Sequence, residues 1–227
     1  MIVLGIETSG PIGSVALCSE DGVMAEHTLP EGARHARDVV PAIDRIVTEA
    51  GIKRTDVGAV AVSRGPGSFT GLRIGVACAK TLAHALGWRA VGVPSLEVLA
   101  QNVPGDAAAC CATRDARRER VYGTVFEWNG AYWRDTTDVL LLAPDELARR
   151  IPDGAVVLGS GVRAYPDVLG AQRFHVARRR WDIGRAEAVA GLGLTRLREG
   201  AGSSPLELVP LYYRVTEAEE KLRAAGP

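Results

Sequence analysis

The chain has 227 residues, with 27 Lys+Arg against 27 Asp+Glu and a formal charge of zero at pH 7. With 47% hydrophobic residues it can bury a real core, which excludes a disordered chain. The even charge balance also argues against a protein that grips nucleic acid through a general basic excess, so any RNA contact must be local or supplied by a partner.

The first elements follow in order. Residues 2–6 read as a buried strand, Gly10-Pro11-Ile12-Gly13 as a turn, and residues 14–18 as a second strand. Asp21-Gly22 is a hairpin signal, because that pair tolerates the positive φ of a tight turn. Residues 23–29 form the third strand. A helix is expected from Asp38 as N-cap to Ala50, with Pro41 in its first turn and Gly51 ending it. Residues 57–62 are a strand without charge. A helix over 70–86 stops at Gly87, and a strand at 90–93 and a helix from Ser95 complete the first half.

The second half repeats this order loosely. Strands are expected at 107–113, 120–128 and 132–139, a helix at 144–150, a strand at 155–158 before Gly159-Ser160-Gly161, and a late helix at 185–198. The repeat suggests a duplicated α/β architecture, with lobes at 1–103 and 104–227.

Gly65-Pro66-Gly67-Ser68-Phe69-Thr70-Gly71 lies between a strand and a helix, where free N–H groups can meet a phosphate. It lacks the Gly-Lys-Ser/Thr ending of a Walker loop and the spacing of a dinucleotide fingerprint. The alternative is a tight turn feeding a helix, capped by Ser68 or Thr70. Glu7-Thr8-Ser9 could likewise meet a magnesium-phosphate or simply cap a strand end. His27, His35, His84 and His175 show no ligand spacing, so no metal site is expected. Gly-x-Ser-x-Gly is absent. Cys18, Cys78, Cys110 and Cys111 form neither a disulfide framework nor a zinc pattern. The short, acidic start and the lack of a run of about 20 apolar residues point to the cytoplasm.

Residues 114–120 and Arg178-Arg179-Arg180-Trp181 are two arginine-rich stretches. Each reads as a nucleic-acid contact or as a solvated turn. In the helix from Thr70, Gly71, Gly75, Ala79 and Ala83 recur every four residues, a smooth row where another helix can approach. Leu72, Ile74 and Val76 widen its apolar surface, and Arg73, Lys80 and His84 cluster on one side. On the earlier helix, Val39, Val40, Ile43, Ile46 and Val47 make a broad apolar face. Both helices could pack on each other inside one monomer or meet a second chain.

Several segments carry a family resemblance. They are Leu4-Gly5-Ile6-Glu7-Thr8-Ser9, Arg34-His35-Ala36-Arg37 with Val39-Val40-Pro41, and above all Val62 through Gly75. Val91-Gly92-Val93-Pro94-Ser95-Leu96-Glu97, Asp115 through Tyr122, and Pro210-Leu211-Tyr212-Tyr213-Arg214 continue it. Together they resemble the TsaB (YeaZ) family, strongly up to about Gln101 and more thinly between Trp128 and Ser204. The resemblance implies duplicated ribonuclease-H-like lobes of the ASKHA type (acetate and sugar kinases, heat-shock chaperone ATPases, actin). It implies a non-catalytic partner of TsaD, joined by TsaE, in making threonylcarbamoyladenosine on tRNA, with tRNA met indirectly within the complex. No cofactor is implied. The expected partner interface is a helical bundle using His35, Val39, Val40, Ile43, Ile46, Val47, Gly71, Leu72, Arg73, Ile74, Gly75, Val76, Ala79, Lys80 and Ala83. The same face would serve a homodimer when the chain is alone. The competing expectation is an ATP-binding enzyme of this fold, using Glu7, Gly65–Gly71 and Gly159–Gly161. A glycopeptidase-type protease is a third, opposed by the missing metal pair.

Overall fold

The structure is a computed structural model and describes residues 1–202 and 204–213. Its strands are β1 (Ile2–Glu7), β2 (Ser14–Ser19), β3 (Gly22–Thr28), β4 (Val57–Ser63), β5 (Arg89–Val93), β6 (Cys110–Asp115), β7 (Val121–Trp128), β8 (Trp133–Asp135), β9 (Leu140–Leu142), β10 (Val156–Gly159) and β11 (His175–Val176). Its helices are α1 (His35–Glu49), α2 (Phe69–Leu86), α3 (Ser95–Ala100), α4 (Pro144–Ala148), α5 (Ser160–Ala164), α6 (Pro166–Leu169) and α7 (Ala186–Arg198).

The first sheet runs β3-β2-β1-β4-β5, and the second runs β11-β10-β6-β7-β8 with β9 also on β7. Counted from its own first strand with β9 set aside, the second sheet repeats the first: third, second, first, fourth, fifth. In both, the first three strands are antiparallel and the last two join in parallel. A strand order shared by two halves of one chain defines the duplicated ribonuclease-H-like fold.

Strand alternation sets what each face can accept. On β1, Leu4 and Ile6 face α1 and α2, together with Val15, Leu17, Val60 and Val62. The opposite face is made of Val3, Ala16, Ala59 and Ala61 and meets α7. Small residues there let the helix lie close: a side chain at Gly5 would strike the Ala186 carbonyl, and one at Gly193 would meet Ala61.

Helices are exchanged between the lobes. α7 lies on the first sheet, whereas α3 joins Cys110, Ala112, Phe126 and Leu158 of the second. The expected boundary at 103/104 therefore does not separate two self-sufficient layers. Each half covers one face of the other's sheet.

Local corrections concern helix starts and short strands. α1 begins at His35, not at Asp38, so Pro41 sits in its second turn. Asp38 still serves the N-terminus from inside, its carboxylate accepting the Arg34 N–H at 2.8 Å. Gly51 follows the helix at φ +65, as a C-terminal glycine should. The strand expected over 132–139 is only the short β8, and a further short strand, β9, follows it; both pair with β7. Among the described residues no helix is long and apolar enough to cross a membrane.

Candidate functional site

The 65–71 turn joins β4 to α2. Ser68 is the N-cap of α2, and its Oγ accepts the Gly71 N–H at 3.2 Å. The Ser68 N–H donates to the Ser9 carbonyl at 2.8 Å, and the Gly65 N–H donates to Ser95 Oγ at 3.0 Å. Thr8 Oγ1 donates to the Gly71 carbonyl at 2.8 Å. The glycines admit this closeness. A Cβ on Gly71 would collide with the Thr8 carbonyl, one on Gly75 with Thr8 Oγ1, and one on Gly67 would lie 2.5 Å from the Ser9 carbonyl. Gly65, at φ +124, has the Leu211 carbonyl 2.6 Å from its missing Cβ. The turn is built to receive the end of β1 and the C-terminal segment, and these N–H groups are already engaged.

The second lobe repeats the device at β6. Gly159, at φ +99, abuts the Thr113 carbonyl, and Gly161 abuts the Thr113 and Val121 side chains. Thr113 Oγ1 donates to the Leu158 carbonyl at 2.7 Å and accepts the Val162 N–H at 3.1 Å. The Gly159 N–H donates to Asp182 Oδ1 at 2.7 Å. In both turns the glycines thus admit close approach of the neighbouring strand.

Arg114 fills the space between the lobes, beside the Glu7-Thr8-Ser9 strand end. Its Nη1 donates to the Ser9 carbonyl at 3.0 Å and its Nη2 to Ser9 Oγ at 2.7 Å. Glu7 is buried, with Oε1 accepting the Ser9 N–H at 2.5 Å and the carboxyl packed against Gly184. Burial lowers the guanidinium's pKa, opposed by the attraction of Glu7. The sequence places Arg114 in a stretch that reads as a nucleic-acid contact or a solvated turn. Alternation was the available signal, since it places Arg114 on the strand face that carries Cys110 and Ala112.

That turn itself is strained. Arg117, Arg118 and Glu119 have φ of 62°, 51° and 56°. Left-handed backbone costs a residue with a Cβ about 1–2 kcal/mol. The Asp115 carboxylate offsets part of this by accepting the Arg117 N–H at 2.9 Å and pairing with its guanidinium at 3.4 Å.

The expected partner residues divide sharply. Gly71, Gly75, Ala79 and Ala83 are buried, as are Leu72 and Val76. The smooth row expected to admit a foreign helix instead faces this chain's own β1 and β4. On α1, Val39, Ile43, Ile46 and Val47 are buried in the same core. His35 is half-buried, its ring against Gly13. Arg73 stacks over Phe69 at 3.9 Å and donates to the Tyr212 hydroxyl at 3.0 Å, while Lys80 donates to the Leu206 carbonyl at 3.1 Å. Residues 204–213 thus lie along that flank of α2, anchored by buried Leu208 and by the Leu211 N–H on the Arg64 carbonyl. Tyr212 and Tyr213 of the C-terminal signature are part of this segment; Arg214 lies outside the described residues. Of the expected residues, what remains accessible includes Val40, 57% exposed, exposed Arg73 and half-buried Ile74.

All four cysteines are free thiols. Burial raises Cys18 and Cys78 to about 11 and Cys111 to about 12; Cys110 is also pushed up by burial, with Cys111 adding to it. The described residues contain no cluster of three or more His, Cys, Asp or Glu arranged to hold a metal ion.

Two lobes with one strand order, exchanged helices and a threonine-glycine contact repeated in each define a duplicated ribonuclease-H-like protein of the ASKHA class. Residues 23–160 match the family described as TsaD, tRNA N6-adenosine threonylcarbamoyltransferase. The chain is 32% identical over 228 residues to the tRNA threonylcarbamoyladenosine biosynthesis protein TsaB of Bacillus subtilis, spanning 97% of each. It is 31% identical over 233 residues to the protein of the same name from Escherichia coli, spanning 98% of each. It superposes on YeaZ from Pseudomonas aeruginosa with a TM-score of 0.82 at 27% identity, covering 93% of this chain and 99% of that one. The chain belongs to the TsaB (YeaZ) family.

Proposed function

We propose that this chain is a non-catalytic partner subunit in the formation of threonylcarbamoyladenosine on tRNA. In this reading it works in the cytoplasm, binds TsaD through the accessible edge of α1 and α2, and holds TsaD in its active form. TsaE joins the assembly, and in isolation the same edge pairs two copies of the chain. The full-length likeness to two proteins named for this pathway supports the assignment. The 65–71 turn carries the non-catalytic part. Its glycines are filled by the chain's own Thr8 and Ser9, and Arg114 occupies the adjoining strand end. The isolated chain is therefore expected to be inert toward ATP.

The burial pattern selects the test. Ile43 is 7% exposed, so a charge there attacks the core and reports nothing about partners. Val40→Glu combined with Ile74→Glu alters accessible or half-accessible positions. The double variant is expected to keep its thermal unfolding profile, to lose co-purification with TsaD, and to fail to support tRNA modification in a reconstitution with TsaD and TsaE. Normal assembly and normal modification by the folded variant would refute the assignment.

A further inference from the structure

A second region carries features that the partner surface does not use. A cleft of about 940 Å³ opens between α7 and the second lobe. Its wall includes Trp181, Tyr132, Arg180 and Asn102. On the α7 side it is lined by Ala188 and Gly191, and nothing lies within 4 Å of the place a Cβ on Gly191 would take. The volume is that of a site for a small ligand or a short extended strand, far too small for a duplex.

The wall segment is held in place. Asn102 Nδ2 donates to the carbonyls of Trp181 at 2.9 Å and Ile183 at 2.8 Å. Asp182, in the same 3-10 turn (Arg179–Asp182), pairs with Arg163 at 2.7 Å. At the cleft, Arg185 pairs with Glu187 at 2.8 Å and Glu26 at 3.7 Å. One guanidinium thus serves two carboxylates on that side. Arg178, Arg179 and Arg180 are all exposed, and no ion pair involves them among the described residues. A chain of zero formal charge thus places Arg180 beside the half-buried Trp181 in the cleft wall, with exposed Arg178 and Arg179 preceding them in the chain. A guanidinium binds phosphate, and an indole face takes any base by stacking. An acidic peptide could satisfy the charges and would leave the aromatic wall unused.

We propose that this cleft holds a single-stranded segment of RNA, with its phosphates on Arg178, Arg179 and Arg180 and one base against Trp181. The identity of that RNA as tRNA rests on the pathway reading above; the binding chemistry does not.

The test uses the full chain and a fluorescein-labelled single-stranded RNA oligonucleotide, followed by anisotropy across a salt series. Three phosphate contacts predict a log–log salt slope of about −2. Replacing all three arginines by alanine (R178A, R179A, R180A) is expected to weaken binding at least tenfold and to flatten the slope. Trp181→Ala is expected to weaken binding with the slope unchanged, and Trp181→Phe to restore most of it. Each variant is first checked for an unchanged unfolding midpoint. Absence of binding by the unaltered chain at low salt, equal binding by the triple variant, or equally good competition by polyglutamate would overturn the proposal. The two readings fail separately. The triple variant should still assemble with TsaD, whereas Val40→Glu with Ile74→Glu should still bind RNA.

Discussion

The two lobes share a strand order and differ in how much structure hangs on it. In the first, α1 and α2 run 15 and 18 residues, and the outer strands β3 and β5 have 7 and 5. In the second, α4, α5 and α6 have 5, 5 and 4 residues, and the outer strands β8 and β11 only 3 and 2. The topology survives this reduction because the central strands are kept. β6 and β7 pair over six residues, and Cys110, Cys111 and Ala112 are completely buried. Three central strands fix the frame; helix length is free to follow what the surface must do. The long helices stand in the first lobe, where the proposed partner edge lies.

The sharpest way to break this contrast is at the glycines. In the first lobe Gly71 opposes a backbone carbonyl, which cannot move without moving β1. Gly71→Val should cost about 3 kcal/mol or more through overpacking, visible as a large fall in the urea midpoint. In the second lobe Gly123 opposes the end of the Leu147 side chain, which can change rotamer. Gly123→Ala should cost only about 1 kcal/mol. Equal losses at the two positions would show that the lobes are equally rigid.

The thiols sharpen the comparison through pH. Each folded thiol has a raised pKa, so above pH 9 the unfolded chain releases protons that the folded chain keeps. The stabilising contribution is therefore full below pH 9 and is lost as pH rises through the folded values. While a thiol ionises only in the unfolded chain, it removes about 1.4 kcal/mol per pH unit. Stability should hold up to about pH 9 and then fall toward about pH 10.5, and replacing Cys111 by Ala should make the fall shallower. Iodoacetamide should label Cys78 first in the native protein and Cys110 and Cys111 last. Early labelling of the β6 pair would mean that the smaller lobe opens more readily than the larger.

The smallest effect belongs to the surface of the large lobe. Arg45 and Glu49 are 2.7 Å apart, one turn of α1 apart, and both are exposed. Arg45→Ala should change stability by no more than about 0.5 kcal/mol, within reach of a careful thermal melt.

Much of the first lobe was legible because its signals are local. Asp21-Gly22, Gly51 and Gly87 each ended an element where the backbone requires a positive φ, and the structure has all three glycines there. What failed was assignment across distance. A row of glycine and alanine on α2 says that something comes close, but not whether it is another chain or, as here, Thr8. The apolar face of α7 likewise does not name the sheet it will cover. Arg114 was hidden by its neighbours, since a strand end followed by Arg117, Arg118 and Arg120 reads as one charged loop. The apolar residues of α1 were correctly seen as a face, but four of the five belong to the core.

The exchange of helices sets a timetable for synthesis. The first sheet has all its strands once Val93 has been added, yet the helix that covers one of its faces begins only at Ala186. At about 5–20 residues per second the ribosome needs on the order of 5–20 s to bridge that gap. Throughout it, Val3, Ala59, Ala61 and Val91 have no cover of their own. The chain cannot mature half by half, and a fragment ending near residue 103 should behave as an aggregation-prone intermediate that is rescued when the remainder is supplied in trans.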